Sequence, residues 1–373
     1  MPPSAACATL AQLVAIPSVS GDEAAVADTA AQFAADAGFS VQRQGNNVWF
    51  ELGSSDVSRR TDQRLKPPRR LLLHSHLDTV PPCAGWTDDP WTPVVADGRL
   101  IGLGANDAKG CATAILHAAA QLRREGWDGP GTLVCALTAE EETGGPGGIC
   151  SVLERFGALD AAVFGEPTGL APCTAQGGML LLKCRAQGLS GHVAHAARLR
   201  LTNAIHMAAR DVTRLAGLDL PEYVAFDGQA IACCPQVTLI SGGISANQVP
   251  DACEFRVDLR TTPGLDHAAL LAQLSAELES EVECLSLRYR PVATAADERI
   301  VQAALAAAGR PAFYSGTVSD WSLVPGVPAV KLGPGESARS HQPDEYLLED
   351  ELSAGIACYV DVVRRYFSEA AHG

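Results

Sequence analysis

Hydrophobic and polar positions follow two rhythms along this chain. In the first, short unbroken apolar runs stop abruptly at acids or histidines. Leu71-Leu72-Leu73 leads into His74-Ser75-His76-Leu77-Asp78, the run 131–137 into Thr138-Ala139-Glu140-Glu141-Glu142, and 161–164 into Gly165-Glu166-Pro167-Thr168. Runs of this kind read as strands buried on both faces of a mostly parallel sheet. Helical stretches are expected over 5–15, 22–37 and 111–125, and hairpins around Gly45-Asn46-Asn47 and Asp97-Gly98. The polar, proline-containing stretch 54–70 has no period and is expected to be a surface loop.

The second rhythm occupies 178–290. Strand (179–186), helix (203–215), strand (235–240), strand (253–261), helix (266–280) and strand (283–290) succeed one another there. This is a split α+β pattern of the ferredoxin-like kind. The tail then returns to the first rhythm, with helices over 295–308 and 349–369 around a strand at 329–332. The expected class is α/β: a catalytic domain from residues 1–177 and 291–373, with a mixed, mostly parallel sheet flanked by helices, interrupted by a ferredoxin-like insert at 178–290.

Composition narrows what such a protein does. At 373 residues and 47% hydrophobic content there is material for a large core and a smaller one. The formal charge of −15 argues against nucleic acid or an anionic membrane as partner and favours metal cations. The 12 cysteines show no paired short spacing, and several, such as Cys135 and Cys184, sit inside apolar runs. No basic region precedes the first apolar patch, and no apolar run approaches the roughly 18 residues of a membrane span. A soluble, cytoplasmic protein is expected.

In open α/β sheets ligands sit beyond the carboxyl ends of the strands, so the polar run-ends are where chemistry is sought. His76 and Asp78, two apart, share a side, and a carboxylate there can hold one imidazole nitrogen while the other faces a metal. On that stretch alone, a strand-end histidine hydrogen-bonded to Asp78 is the plainer reading. Asp107, in Gly102-Leu103-Gly104-Ala105-Asn106-Asp107, is either a helix N-cap or a metal ligand placed by a tight loop. Its spacing fits neither the Walker nor the dinucleotide pattern. Three consecutive carboxylates, Glu140 to Glu142, at the end of a buried strand are costly without cations nearby, although a solvated acidic turn is the alternative. Glu166 repeats the arrangement, and His341 offers a second imidazole. Carboxylates and histidines converging from strand ends suit zinc, cobalt or manganese, and the number of ligands suggests two ions.

His76-Leu77-Asp78, Gly104-Ala105-Asn106-Asp107, Glu140-Glu141-Glu142-Thr143-Gly144, Gly165-Glu166-Pro167-Thr168, Ser190-Gly191-His192 and His341 resemble, in order and spacing, the M20 metallopeptidase and deacylase family. The closing Leu332-Gly333-Pro334-Gly335 with His341-Gln342-Pro343-Asp344-Glu345-Tyr346 is most similar to its acetylornithine deacetylase branch. The resemblance implies a two-zinc site in each subunit, Co2+ or Mn2+ being substitutes. Asp107 would bridge, His76 and Glu166 would hold one ion, and Glu142 and His341 the other.

Glu141 would be the general base and Asp78 would orient His76; Glu140 stands where relatives more often carry Asp. A cis peptide between Asp107 and Ala108 is implied as well. His192 would serve an oxyanion position, in its own or a partner subunit, and Asn247 and Arg260 would contact substrate. Arg260 has the local acid Asp258 as an alternative partner. The stretch Ser315-Gly316-Thr317-Val318-Ser319-Asp320 resembles a loop of succinyl-diaminopimelate desuccinylases with Val318 added, and is expected to wall the distal end of the substrate.

These features together imply hydrolysis of an N-acyl amino acid, N-acetylornithine in arginine synthesis before N-acetylcitrulline, N-succinyl-diaminopimelate or a dipeptide. The family resemblance alone implies a homodimer formed through the insert. A silent module that binds metal or ligand without turnover is the rival class, disfavoured by the intact Glu141.

Overall fold

The computed structural model describes residues 4–53 and 69–368. Of the stretch expected as a surface loop, residues 54–68 lie outside the described residues, and Arg69 and Arg70 already belong to the strand Arg69–His76. The chain divides into two compact units. One comprises Met1–Thr174, Thr294–Phe313 and Val324–Gly373; the other comprises Ala175–Ala293 and Tyr314–Leu323.

The first unit is built on a mixed sheet whose middle is parallel. Arg69–His76 lies between Gly131–Thr138 and Ala161–Phe164, parallel to both, and Ala329–Lys331 continues the parallel set beyond Ala161–Phe164. Its flanks are antiparallel. Asn47–Gly53 pairs with Gly131–Thr138, and Gln42–Gln44 folds back on it through the two-residue turn Gly45-Asn46. On the other side Cys173–Gln176 runs against Lys331. The apolar runs are buried on both faces, as their lack of alternation requires: Leu71, Leu72, Leu73, Leu133, Val134 and Val163 are all 0% exposed.

Helices Ala5–Val14, Lys109–Arg124 and Glu349–Phe367 belong to the same apolar core through Leu10, Leu13, Ile115, Leu116, Tyr359 and Val363. Each such large side chain contributes about 1.5–3 kcal/mol by leaving water. The helix expected at 111 starts at Lys109, and neither Asp107 nor any other side chain caps it. A small sheet of Val94–Ala96, Arg99–Ile101 and Tyr346–Leu348 joins the second hairpin to the tail, a pairing without a local sequence signal.

The second unit carries a four-stranded antiparallel sheet in the order Cys234–Gly242, Ala252–Thr261, Gly178–Gln187, Glu281–Tyr289. Counted along the chain this is second, third, first, fourth, the ferredoxin-like arrangement. Leu180, Leu182, Cys184 and Ala186 alternate inward and are fully buried with Ala204, Ala208 and Leu215 of helix Ala204–Ala216 and Leu270 and Leu274 of helix His267–Glu277. Both helices start where their caps predict, Asn203 accepting from Ile205 and His206, and Asp266 from Ala269. Cys234–Gly242 is an edge strand, and Leu239, Ile240 and the nearby Ile244 are 64%, 56% and 88% exposed.

Candidate metal centre

Register brings the polar run-ends together. His76 is level with Thr138, and His74 with Phe164, so the segments beginning at Leu77, Ala139 and Gly165 leave the sheet along one edge. Ala329–Lys331, with Lys331 level with Phe164, leads to the same edge and into the turn that precedes His341. His76, Asp107, Glu142 and His341, from distant parts of the sequence, thereby come together, and Glu166 leaves the sheet at the same edge.

Ligand atoms of His76, Asp107 and Glu142 all lie within 4.8 Å of one another. The Asp107 carboxylate is shared: Oδ1 is 3.4 Å from His76 Nε2 and Oδ2 is 3.7 Å from His341 Nε2. His341 Nε2 also stands 3.1 Å from Glu142 Oε1. Glu166 interacts through charge with His76, Asp107 and Glu142. The Asp107–Ala108 peptide is cis.

These residues fit a cation. His76 is 0% exposed, its Nδ1 is engaged by the Asp78 main-chain carbonyl at 3.0 Å, and its Nε2 has no hydrogen-bond partner. A buried imidazole nitrogen held in one orientation and left unpaired among carboxylates is what a metal ligand requires. The electrostatics agree. Burial first, then the Asp107 and Glu142 carboxylates, push the Glu166 carboxyl up to about 8, against the opposite pull of His76 and Lys331. The hydrogen bond to Glu142, aided by the charges of Asp107 and Glu345, raises His341 to about 9 although burial opposes it. Burial likewise disfavours a charged His76, yet Asp107, Asp78 and Glu141 hold it well above the usual histidine range. Such mutual repulsion among acids is relieved by positive charge, and metal binding would displace protons from these ligands.

Asp78 meets His76, as expected, and does more besides. His76 Nδ1 lies 3.0 Å from the Asp78 main-chain oxygen and 3.3 Å from Oδ1. The carboxylate itself accepts the main-chain N–H groups of Glu141 and Glu142, both at 3.1 Å, and the Ser20 hydroxyl at 2.7 Å. It therefore holds the acidic turn as much as the imidazole.

The rest of that turn is equally constrained. Asn47 Oδ1 accepts from Ala139 N at 3.0 Å while its amide donates to Gly147 O at 2.7 Å. The buried Glu23 accepts from Glu140 N at 3.2 Å. Glu140 is left-handed at φ 57°, and its carboxylate takes Gly147 N at 2.8 Å. A Cβ on Gly145 or Gly147 would come within 1.9 or 2.4 Å of that carboxylate, so a side chain at either position would displace Glu140 from Gly147 N. Sequence reasoning gave Glu23 and Ser20 no part in the site and gave Asn47 only a place in the hairpin turn. The one signal available was a buried-strand start at Asn47, where an amide has no apolar work to do.

His74 is an interior histidine, as expected, with Nε2 2.7 Å from Thr138 Oγ1. Ser319 and Asp320 differ from expectation: they are 0% and 2% exposed, and the Ser319 hydroxyl donates to Gln176 Oε1 at 2.9 Å. Ser319 and Asp320 are thus tied inward, while Gly316 and Thr317 of the same stretch are exposed and Val318 is half-buried.

In the second unit, His192 and Asn247 are neighbours. Gly191–His192 pairs with Gln248–Val249, and Val193 N donates to Asn247 O at 3.1 Å. His192 Nδ1 accepts from Ala194 N at 3.1 Å, which in the neutral ring places the hydrogen on Nε2. Arg260 is paired with Asp258 at 2.9 and 3.1 Å, the alternative partner that lay two residues away in the sequence.

All cysteines are unpaired thiols. Among the described residues no helix is long and apolar enough to cross a membrane.

Comparison with known proteins adds to this geometry. Residues 72–365 match the family model described as peptidase family M20/M25/M40. The chain is 31% identical over 382 residues to a succinyl-diaminopimelate desuccinylase of Stenotrophomonas maltophilia, covering 95% of this chain and 97% of that protein. It is 29% identical over 365 residues to an acetylornithine deacetylase of Proteus mirabilis, covering 90% of each. A tripeptidase from Staphylococcus aureus shares the fold, with a TM-score of 0.76 at 20% identity over 98% of both chains.

Proposed function

Because the chain belongs to peptidase family M20/M25/M40, and is a dinuclear-metal hydrolase of the peptidase and deacylase type, we propose that it cleaves the amide of a small N-acyl amino acid, with N-acetylornithine as substrate. The observation that carries the reaction is the shared Asp107 carboxylate, with one oxygen toward His76 and the other toward His341, beside Glu142. His76 and Glu166 would hold one zinc-type cation, Glu142 and His341 the other, with Asp107 common to both. When bound, such a pair supplies Lewis acidity for the amide carbonyl and lowers the pKa of an attacking water.

The chain's own residues do the rest. Glu141 takes the water's proton and returns it to the leaving amine nitrogen, so the C–N bond breaks without releasing a strong base. Asp78 holds Glu141 and Glu142 by their main-chain N–H groups. His192, whose Nδ1 is already an acceptor, offers Nε2–H to the carbonyl oxygen as negative charge develops on it. Asn247 and Arg260 bind the substrate carboxylate, for which the Arg260 guanidinium must leave Asp258. The second unit serves as lid and dimerisation module, its exposed edge strand Cys234–Gly242 pairing across a two-fold axis.

N-succinyl-diaminopimelate is the second substrate reading. It is favoured by the desuccinylase relative, which matches 95% of this chain where the deacetylase matches 90%. Hydrolysis of both compounds, N-acetylcitrulline and a dipeptide by zinc-loaded protein, with a chelated control, tests the proposal. Chelator-sensitive turnover of N-acetylornithine above the others is expected. Preference for the succinyl compound would replace the substrate, and no turnover of any amide by protein holding two zinc ions would overturn the reaction.

A further inference from the structure

Two loops carry ligands from opposite ends of the sequence, Asp107 on one and His341 on the other. They are joined by a reciprocal clamp. From the first loop, the fully buried Asn106 side chain reads the main chain of Glu336 in both directions, its Oδ1 accepting from Glu336 N at 3.0 Å and its Nδ2 donating to Glu336 O at 3.1 Å. From the second, the Glu345 side chain reaches back. A single oxygen, Oε1, accepts the consecutive main-chain N–H groups of Asn106 at 2.9 Å and Asp107 at 3.0 Å.

Glu345 is 2% exposed, and its other oxygen, Oε2, is buried without any hydrogen-bond partner. The neighbouring buried cation does not claim it: Lys109 Nζ donates to Leu13 O and Ile16 O, both at 3.0 Å. An acid this deep, with one oxygen on two peptide groups and no hydrogen bond at the other, serves these two loops as an acceptor.

We infer that Glu345 is a positioning residue that sets the Asp107 carboxylate between His76 and His341 by capturing the main-chain N–H groups of Asn106 and Asp107 through one oxygen. The inference rests on the two-cation reading of the site and concerns how the shared ligand is aimed. It makes a distinction by chemistry. A side chain that keeps the acceptor and drops the charge serves. One that keeps the volume and drops the acceptor does not, because two buried N–H groups lose their partner and only the Asn106 half of the clamp between the two loops remains.

Three variants separate these cases: Glu345→Gln, Glu345→Leu and Glu345→Asp, the last keeping the charge but withdrawing the oxygen by one methylene. Each is loaded with Co2+, and stoichiometry, affinity, the visible ligand-field spectrum, kcat and KM are measured beside the wild type. Expected for Glu345→Gln are two equivalents, the wild-type spectrum and turnover within about threefold. Expected for Glu345→Leu and Glu345→Asp are an altered spectrum and binding of the second equivalent weakened by about 10- to 100-fold, with kcat falling more than KM rises.

If Glu345→Leu does not fold, Glu345→Asp against Glu345→Gln carries the same contrast. Wild-type affinity and spectrum in both Glu345→Leu and Glu345→Asp, or damage in Glu345→Gln equal to theirs, would overturn the inference. A wild type that fails to bind two equivalents would instead bring down the underlying two-cation reading, so the two failures are distinguishable.

Discussion

Replacing Asp78 by Asn isolates what its carboxylate does. In the native site the two oxygens accept from Glu141 N, Glu142 N and the Ser20 hydroxyl, and the residue is 0% exposed. Asparagine is nearly the same size but presents one oxygen and one NH2 group. The hydroxyl of Ser20 can rotate to accept from the new amide, whereas one of the two main-chain N–H groups must face a donor. A hydrogen bond to a buried charged group contributes about 1.5–3 kcal/mol, and a stranded buried donor costs about 1–3 kcal/mol. Since these overlap, removing that single hydrogen bond costs about 2–3 kcal/mol. Expressed in displacement of Glu141, that is a fall in turnover of about 30- to 150-fold.

His76, by contrast, keeps its orientation, because its Nδ1 is held at 3.0 Å by the Asp78 main chain, which the substitution leaves in place. The Asp78→Asn protein is therefore expected to retain two zinc equivalents by elemental analysis while kcat drops. Turnover within about threefold of wild type, or a zinc loss that parallels the loss of turnover, would refute the reasoning. The second result would return the carboxylate to the service of His76.

Three further outcomes are expected. Glu141→Ala should lower turnover by about 10²- to 10⁴-fold with metal content unchanged, and full activity by kinetic assay would remove Glu141 as the base. His267 is 4% exposed, and burial, with the nearby Arg290 charge, lowers its pKa despite Asp266. A basic group depressed by folding binds fewer protons when folded, so its penalty is absent above about pH 6.5 and grows as pH falls through that value. The melting temperature should accordingly drop less between pH 7.5 and 5.5 in His267→Gln than in wild type, and an identical drop would assign the acid sensitivity elsewhere. Leu239→Asp, on the exposed edge strand, should convert a dimer to a monomer by sedimentation, and a dimer persisting in that variant would move the interface off this strand.

Much of the first unit was legible because its signals are local. An apolar run 131–137 ending in three glutamates states both a buried strand and its functional end, and the structure has Gly131–Thr138. Gly45-Asn46 dictates a two-residue turn, and Asn203 and Asp266 announce their helices. A candidate cation site was readable because carboxylates crowded at the mouths of buried strands repel one another unless a cation lies among them, whereas which of them would be ligands came from the family resemblance alone. What could not be read is pairing at a distance. Nothing near Tyr346 says that Tyr346–Leu348 will pair with Arg99–Ile101, and nothing near Glu345 says that its carboxylate will meet Asp107 N. Asp78 shows the same limit at short range. The pair His76 and Asp78 was visible, but that the main-chain oxygen would take the imidazole and the side chain the Glu141 turn depends on a segment far along the chain.

The spread of the ligands along the chain also sets an order of events during synthesis. A nascent chain emerges from its amino end at about 5–20 residues per second. His76, Asp107, Glu142 and Glu166 can gather on the first parallel strands while later residues are still being added, but the Ala329–Lys331 strand and His341 arrive nearly last. Until then, on the proposed assignment, one cation would have its ligands and the other would lack His341. On the proposed ligand set the second cation, once bound, would tie His341 to the turn that carries Glu142, 199 residues earlier. On that same proposal, a chain halted before His341 would have the ligands of one cation and lack one of the other's.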